Sequence, residues 1–112
     1  ALQTLKQAGK IASIGVGAKN WRSIARIAKD VALDWVMIAN SLSVKTHEQP
    51  LLQFIDTLHR QGVTVINSAV FNGGFLVGKD YYNYKFVDAS TASGRELLQW
   101  RTQFFALCKQ FN

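Results

Sequence analysis

The sequence is almost without cysteine, and its single thiol excludes whole classes of protein. Cys108 is the only cysteine among 112 residues, so the chain can form neither an internal disulfide nor a metal site with several cysteine ligands. It lies among apolar neighbours in FFALCKQF. That setting predicts a reduced cysteine in the core of a cytoplasmic protein.

Long apolar runs and leader-like segments are also absent. No run approaches the roughly 18 residues that a membrane span requires, and the N-terminus has no basic-then-apolar signal pattern. It has no initiator Met, and ALQTLKQAGK is typical of the last turns of a helix. We therefore expect a cytoplasmic chain that has no membrane partner and is a fragment of a larger protein.

Residues with reactive side chains are sparse and scattered. The two histidines, His47 and His59, are favoured for structural or surface roles, and no cluster of metal ligands accompanies them. Ser68 lacks the G-x-S-x-G setting of an activated nucleophile. The sequence therefore predicts no metal site, and it contains no set of acid, base and nucleophile.

The chain has an excess of basic residues. Its formal net charge is +6, which is compatible with an anionic partner. The ordered basic cluster comprises Lys19, Arg22, Arg26 and Lys29, whose spacing places them on one helical face. A solvated face is favoured over a binding stripe, and we expect no nucleic-acid partner.

Apolar runs and helix signals alternate along the first 68 residues. A helix ends at Gly9, and the strands are predicted at 11–17, 34–40 and 63–68. Asn20 is expected to cap the helix after the first strand. The capping box T-H-E-Q predicts that the next helix begins near Thr46, and Gly62 ends it. The second run is so uniformly apolar that we expect it to be covered on both faces.

The last third of the chain contains glycines, aromatic residues and a final helix. Ser93 and Glu96 form a second capping box, which predicts the start of that helix. The helix has an apolar stripe at spacings of three and four, comprising Leu97, Trp100, Phe104, Leu107 and Phe111.

This alternation predicts an α/β fold with three parallel strand-helix units, preceded by the end of a helix. Residues 1–112 are expected to form a single fragment of a larger repeating structure. Such a sheet has two open edges and exposed apolar side chains, so we expect the chain to associate with itself.

The loop after the third predicted strand has two interpretations. Its residues Asn72, Gly73 and Gly74 can adopt left-handed angles that expose N–H groups to a phosphate, but such glycines more often only form a turn. Likewise, Tyr81, Tyr82 and Tyr84 either stack on a base or sugar or simply pack.

Three segments, in order, resemble the aldo-keto reductase family. They are LKQAGKIASIGVGAKNW, DWVMIANSLSV and GVTVINSAVFNGGFLVG. The details are most similar to the branch of sugar dehydrogenases that oxidise fucose, galactose or threo-aldoses at C1. The resemblance implies a (β/α)8 TIM barrel, of which this chain would supply strands five to seven. It also implies NAD or NADP as cofactor and a small sugar or carbonyl compound as substrate.

The resemblance also implies cofactor positions but no catalytic ones. In such proteins the loop after the seventh strand wraps the dinucleotide phosphates, Ser68 stands where an aromatic residue stacks on nicotinamide, and Gly17 and Ala18 stand where a Ser-Asn pair holds the carboxamide. The phosphate positions correspond to Val70, Phe71, Asn72 and Gly74. The family's catalytic aspartate, tyrosine, lysine and histidine correspond to no residue of this chain, which is therefore expected to be inactive alone.

A second class of function stays open at the level of sequence. The glycine loop and the basic helix face could instead belong to a small stand-alone α/β module that binds a phosphorylated ligand or nucleic acid.

Overall fold

A computed structural model describes residues 1–111, which divide into two compact units. The first unit is Ala1–Val70, and the second begins at Phe71. The elements of the first unit are α1 (Leu2–Gln7), β1 (Gly15–Ala18), α2 (Trp21–Ile27), β2 (Trp35–Ala39), α3 (Gln49–Arg60) and β3 (Thr64–Ser68). No helix among the described residues is long and apolar enough to cross a membrane.

The three strands form one parallel sheet in the order β1-β2-β3. The predicted α/β architecture with parallel strands is thereby confirmed. The core of this unit comprises Ile24, Val36, Ile38, Leu51 and Leu58. It lies on the sheet face that carries Val36 and Ile38, because alternate residues of a strand point to opposite faces.

The other face of this sheet lacks a comparable cover within the described chain. It carries Trp35, Met37 and Ile66, and Met37 and Ile66 are 37% and 39% exposed. Met37 lies beside Gly17 on one side and Ile66 on the other. The expectation that β2 is covered on both faces is therefore met on one face only.

The first strand, β1, begins later than predicted because Asp34 forms two hydrogen bonds with Ile14, the residue that precedes the strand. The Asp34 carboxylate accepts a hydrogen bond from the Ile14 N–H at 2.7 Å, and the Asp34 N–H donates to the Ile14 carbonyl at 2.8 Å. Residues 11–14 are outside the ladder, so the prediction of a strand from residue 11 was wrong at its start.

The helix after β1 begins as predicted, whereas the helix after β2 does not. The Asn20 side chain accepts a hydrogen bond from the Arg22 N–H at 3.0 Å and caps α2. Thr46 does not cap α3, because its N–H donates to Ser43 in a tight turn. The helix starts at Gln49, with Pro50 in its first turn, where the missing N–H costs nothing.

The second unit consists of the glycine loop, an antiparallel ribbon and the last helix. The elements are a 3-10 helix (Asn72–Val77), β4 (Tyr81–Tyr82), β5 (Lys85–Phe86), α4 (Ala92–Cys108) and a final 3-10 turn (Lys109–Phe111). Phe75, Leu76 and Val87 form its core, with Leu97 and Trp100 packed against it. The Arg101 guanidinium lies over the Phe75 ring and pairs with Asp80 at 3.0 Å.

Two predictions about α4 were wrong. Its cap is Thr91, whose hydroxyl accepts the Gly94 N–H at 3.0 Å, and not Ser93. Cys108 is exposed instead of buried, as are its neighbours Ala106 and Leu107. Leu107 and Phe111, at the end of the predicted apolar stripe, are 53% and 82% exposed.

Candidate functional site

Three of the predicted cofactor residues lie where the parallel strands end. We call this end of the sheet the carboxyl edge. Gly17 and Ala18 end β1, and Ser68 ends β3. In the strand register, Ala18 is paired with Ile38 of the central strand, and Ile38 is paired with Asn67 of β3. Ser68 therefore lies one residue beyond this row. In parallel sheets ligands collect at this edge, because loop amides and helix N-termini meet there.

Hydroxyl groups stabilise the backbone at this edge. The Ser41 hydroxyl donates to the Lys19 carbonyl at 2.7 Å and lies 3.1 Å from the Ala39 carbonyl. The Ser68 hydroxyl donates to the Ile38 carbonyl at 3.4 Å. Short polar side chains therefore tie the loop after β2 to the loop after β1 and the end of β3 to β2.

The chain turns sharply in the left-handed region directly after two neighbouring strands. Asn40 follows β2 with a φ of 57°, and Ala69 follows β3 with a φ of 56°. Asparagine tolerates this region, but for alanine it costs roughly 1 kcal/mol. Strained backbone of this kind concentrates at binding and catalytic sites, where the surrounding structure maintains it.

Asn40 is a candidate residue that the sequence reasoning missed. Its N–H donates to the Ser68 carbonyl at 3.3 Å, which fixes it between β2 and β3. Its side-chain oxygen is buried and has no hydrogen-bond partner among residues 1–111. A buried acceptor without a donor costs about 1–3 kcal/mol, so a bound group with an N–H or O–H would stabilise this position. The available signal was an asparagine directly after an apolar strand.

The other predicted cofactor residues lie in the loop that follows β3. Val70 is half-buried and closes the first unit, whereas Phe71 is exposed and opens the second. Asn72 is fully buried, and its side-chain nitrogen donates to the Asn83 side chain at 2.9 Å. The Asn72 side-chain oxygen, like that of Asn40, has no hydrogen-bond partner within the described part of the chain.

The predicted left-handed angles of the glycine loop are present. Asn72, Gly73 and Gly74 have φ values of 51°, 77° and 96°. However, the Gly74 N–H donates to the Phe71 carbonyl at 3.0 Å, and the Lys79 N–H donates to the Gly74 carbonyl at 3.0 Å. These amides are already engaged within the loop, which limits how much of its backbone can face a phosphate.

The glycines of this loop also permit close packing against the ribbon. A Cβ on Gly73 would lie 3.3 Å from the Tyr84 nitrogen and 3.4 Å from the Tyr81 carbonyl oxygen. The Tyr81 ring packs edge-on against Phe86, while Tyr81 and Tyr84 stay more than half exposed. The tyrosines thus combine packing with an exposed aromatic surface.

The two histidines lie at opposite ends of α3, with His47 just before the helix and His59 in its last turn. Both are exposed, and the His47 ring lies 3.3 Å from the Ser43 carbonyl oxygen. The pKa of Asp34 is lowered by the Lys6 ammonium and the Ile14 N–H. However, Asp34 precedes β2 and so lies at the end of the strand opposite to Asn40. Among residues 1–111 no group of three or more His, Cys, Asp or Glu is placed to hold a metal ion.

Comparison with known proteins agrees with this architecture. A family model described as the aldo/keto reductase family matches residues 1–112. No significant match was found to a curated protein or to a solved structure. Because the family model covers residues 1–112, this chain belongs to the aldo/keto reductase family.

Proposed function

We propose that the chain is part of an NAD(P)-dependent oxidoreductase that oxidises an aldose at C1 to a lactone or reduces a carbonyl compound. The observation that carries the proposal is the family match over residues 1–112. The three parallel strands support it, and they correspond in the proposal to strands five to seven of a (β/α)8 barrel. The preference for an aldose rests on the similarity of IGVG and VFNGG to the sugar dehydrogenase branch.

The cofactor would lie along the carboxyl edge of the sheet. Gly17, Ala18 and Ser68 lie at that edge, and their small side chains would suit the approach of a flat ring. Asn40 adds a buried acceptor that suits an amide or hydroxyl donor of the ligand. When bound, the nicotinamide would accept or supply the hydride.

The phosphates would be held by the segment that follows β3. Backbone groups of Val70, Phe71, Asn72 and Gly74 are the proposed contacts. The resemblance to the family supports this assignment, and the Gly74 N–H, which donates to the Phe71 carbonyl, would have to share that hydrogen bond with a phosphate. The exposed Phe71 ring offers a surface for stacking.

The chain alone is proposed to be inactive. Hydride transfer at C1 of an aldose needs a base for the C1 hydroxyl proton, and base catalysis contributes typically 10²–10⁴-fold. The residues that end the three strands, Ala18, Ala39 and Ser68, do not serve as such a base. We also propose a cytoplasmic location, which suits an exposed, unpaired Cys108.

An absorbance assay of nicotinamide reduction tests this function. The isolated chain and the product of the complete reading frame around it are each mixed with NAD⁺ or NADP⁺ and with L-fucose, D-galactose or a simple carbonyl compound. We expect turnover from the complete product and none from the chain. A complete product that neither oxidises aldoses nor reduces carbonyl compounds would overturn the proposal.

A binding assay separates this function from that of a nucleic-acid module. NAD(P)H and a short single-stranded DNA are titrated into the complete product across a salt series. We expect cofactor binding with a shallow salt dependence. DNA binding that falls steeply with salt, together with no cofactor binding, would favour the module instead.

A further inference from the structure

Arg101, in the middle of α4, connects that helix to the end of the glycine loop, taken here as residues 72–80. Its guanidinium donates to the Lys79 carbonyl at 2.7 Å and to the Asp80 carboxylate at 3.0 Å. The Cζ atom of the same group lies 4.7 Å from the centroid of the Phe75 ring, which is fully buried. One side chain therefore contacts the loop at three residues.

These three contacts use properties that only arginine combines. The guanidinium is planar and forked, so it can donate to two acceptors while it stacks on an aromatic face. The Arg101 side chain is 15% exposed, whereas that of Asp80 is 59% exposed. An exposed ion pair alone would contribute little, so the carbonyl and ring contacts are an essential part of the set.

Arg101 influences Gly74 through the Lys79 backbone. The Lys79 N–H donates to the Gly74 carbonyl at 3.0 Å, so the position of Gly74 depends on where Lys79 is held. The start of the loop has its own attachment, because the Asn72 carbonyl accepts the Asn83 N–H at 3.0 Å and the two side chains are hydrogen-bonded. The loop is thus fixed at both ends, and Arg101 is the attachment at the second end.

We infer that Arg101 is a positioning residue for the dinucleotide. It holds the end of the loop whose backbone is proposed to bind the phosphates, and this role requires no contact between Arg101 and the cofactor. A loop that is ordered in advance binds more tightly, because less conformational entropy is lost on binding. The inference rests on the proposed function, since it requires a cofactor at this loop.

The affinity of the complete product for NADH and NADPH tests this role, with titrations followed by nicotinamide fluorescence. Arg101→Met keeps an unbranched apolar side chain but removes the fork. It should raise the dissociation constant at least about ten-fold, the effect expected from losing a hydrogen bond to a charged group.

Arg95→Met is the matched control. Arg95 lies on the same helix and donates to the Ser90 carbonyl at 2.6 Å, outside the glycine loop. The substitution removes the same charge and the same kind of hydrogen bond, and it should leave the dissociation constant unchanged.

Asp80→Asn separates positioning from a simple loss of charge. A cation that only attracted phosphates would act more strongly once the neighbouring carboxylate was neutral, so this substitution would strengthen cofactor binding. A positioning residue instead loses its anionic partner, so we expect weaker binding. Because Asp80 is more than half exposed, this variant is expected to fold even if Arg101→Met does not.

Hydrogen exchange without cofactor gives a readout that is independent of the reaction. Arg101→Met should speed amide exchange in peptides that cover residues 72–80, because the loop opens more often. Arg95→Met should leave exchange in these peptides unchanged.

The outcomes separate this inference from the proposed function. A complete product that binds neither NADH nor NADPH overturns both. A product that binds cofactor but is unaffected by Arg101→Met overturns the role of Arg101 alone. That role is also overturned by equal losses of affinity in the two arginine variants, by tighter binding of Asp80→Asn, or by unchanged exchange at residues 72–80.

Discussion

Gly94, in the first turn of α4, is required by the close approach of a neighbouring carbonyl. A Cβ at this position would lie 1.8 Å from the Asp88 carbonyl oxygen, and Gly94 is buried. A backbone atom cannot move aside as a flexible side chain can. We predict that Gly94→Ala lowers the free energy of unfolding by about 3 kcal/mol, measured by urea denaturation.

Gly9→Ala is the matched control for this prediction. A Cβ on Gly9 meets nothing within 4 Å, and its φ is 68°. Only the left-handed angle opposes alanine there, so the cost should be about 1 kcal/mol. Equal effects of the two substitutions would contradict the steric explanation at Gly94.

Asp34 should make stability depend on pH in the acid range. Its pKa is lowered first by the hydrogen bond from the Lys6 side chain and then by the Ile14 N–H, while desolvation opposes the shift. A carboxylate whose folded-state pKa is lowered stabilises the fold above its unfolded pKa of about 3.9. This stabilisation is lost as the pH falls through the lower folded-state value.

We therefore predict that unfolding free energy falls below about pH 4 and that Asp34→Asn weakens this fall. Lys6→Met removes the first cause of the shift and should weaken the fall in the same direction. Urea denaturation at a series of pH values measures both. If neither variant changed the acid dependence, other carboxylates would be responsible for it.

At the scale of the element, α4 depends on the hydroxyl that caps it. The Thr91 hydroxyl accepts the Gly94 N–H at 3.0 Å and donates to the Asp88 carbonyl at 2.8 Å. We predict that Thr91→Ala costs about 1 kcal/mol, whereas Ser93→Ala costs little. Thermal unfolding followed by circular dichroism distinguishes them, and a larger effect at Ser93 would show that the cap is misassigned.

The elements that could be predicted are those whose signal is local. The three strands coincide with apolar runs, and Asn20 caps α2 because no nearby residue competes with it. Thr46 and Ser93 also satisfy the capping pattern, but each has a competitor. The Thr46 N–H donates to Ser43 in a turn. Thr91, two residues before Ser93, supplies the hydroxyl that caps α4. Local patterns do not decide between such neighbours.

The cofactor positions at the strand ends were predicted from the resemblance to the family, and the strand order brings them together. Gly17, Ala18 and Ser68 meet at one edge because parallel strands end on the same side. Asn40 was missed because its role depends on pairing with β3, which is a long-range feature. The burial of Asn72 likewise depends on Asn83, which is 11 residues away.

At the scale of the whole molecule, apolar surface and net charge act in opposite directions on association. Met37 and Ile66 leave one sheet face partly uncovered, and Phe111 is 82% exposed. Such surfaces favour packing against other strands and helices, as membership of a barrel-forming family implies. The formal charge of +6 on each chain opposes the approach of a second copy.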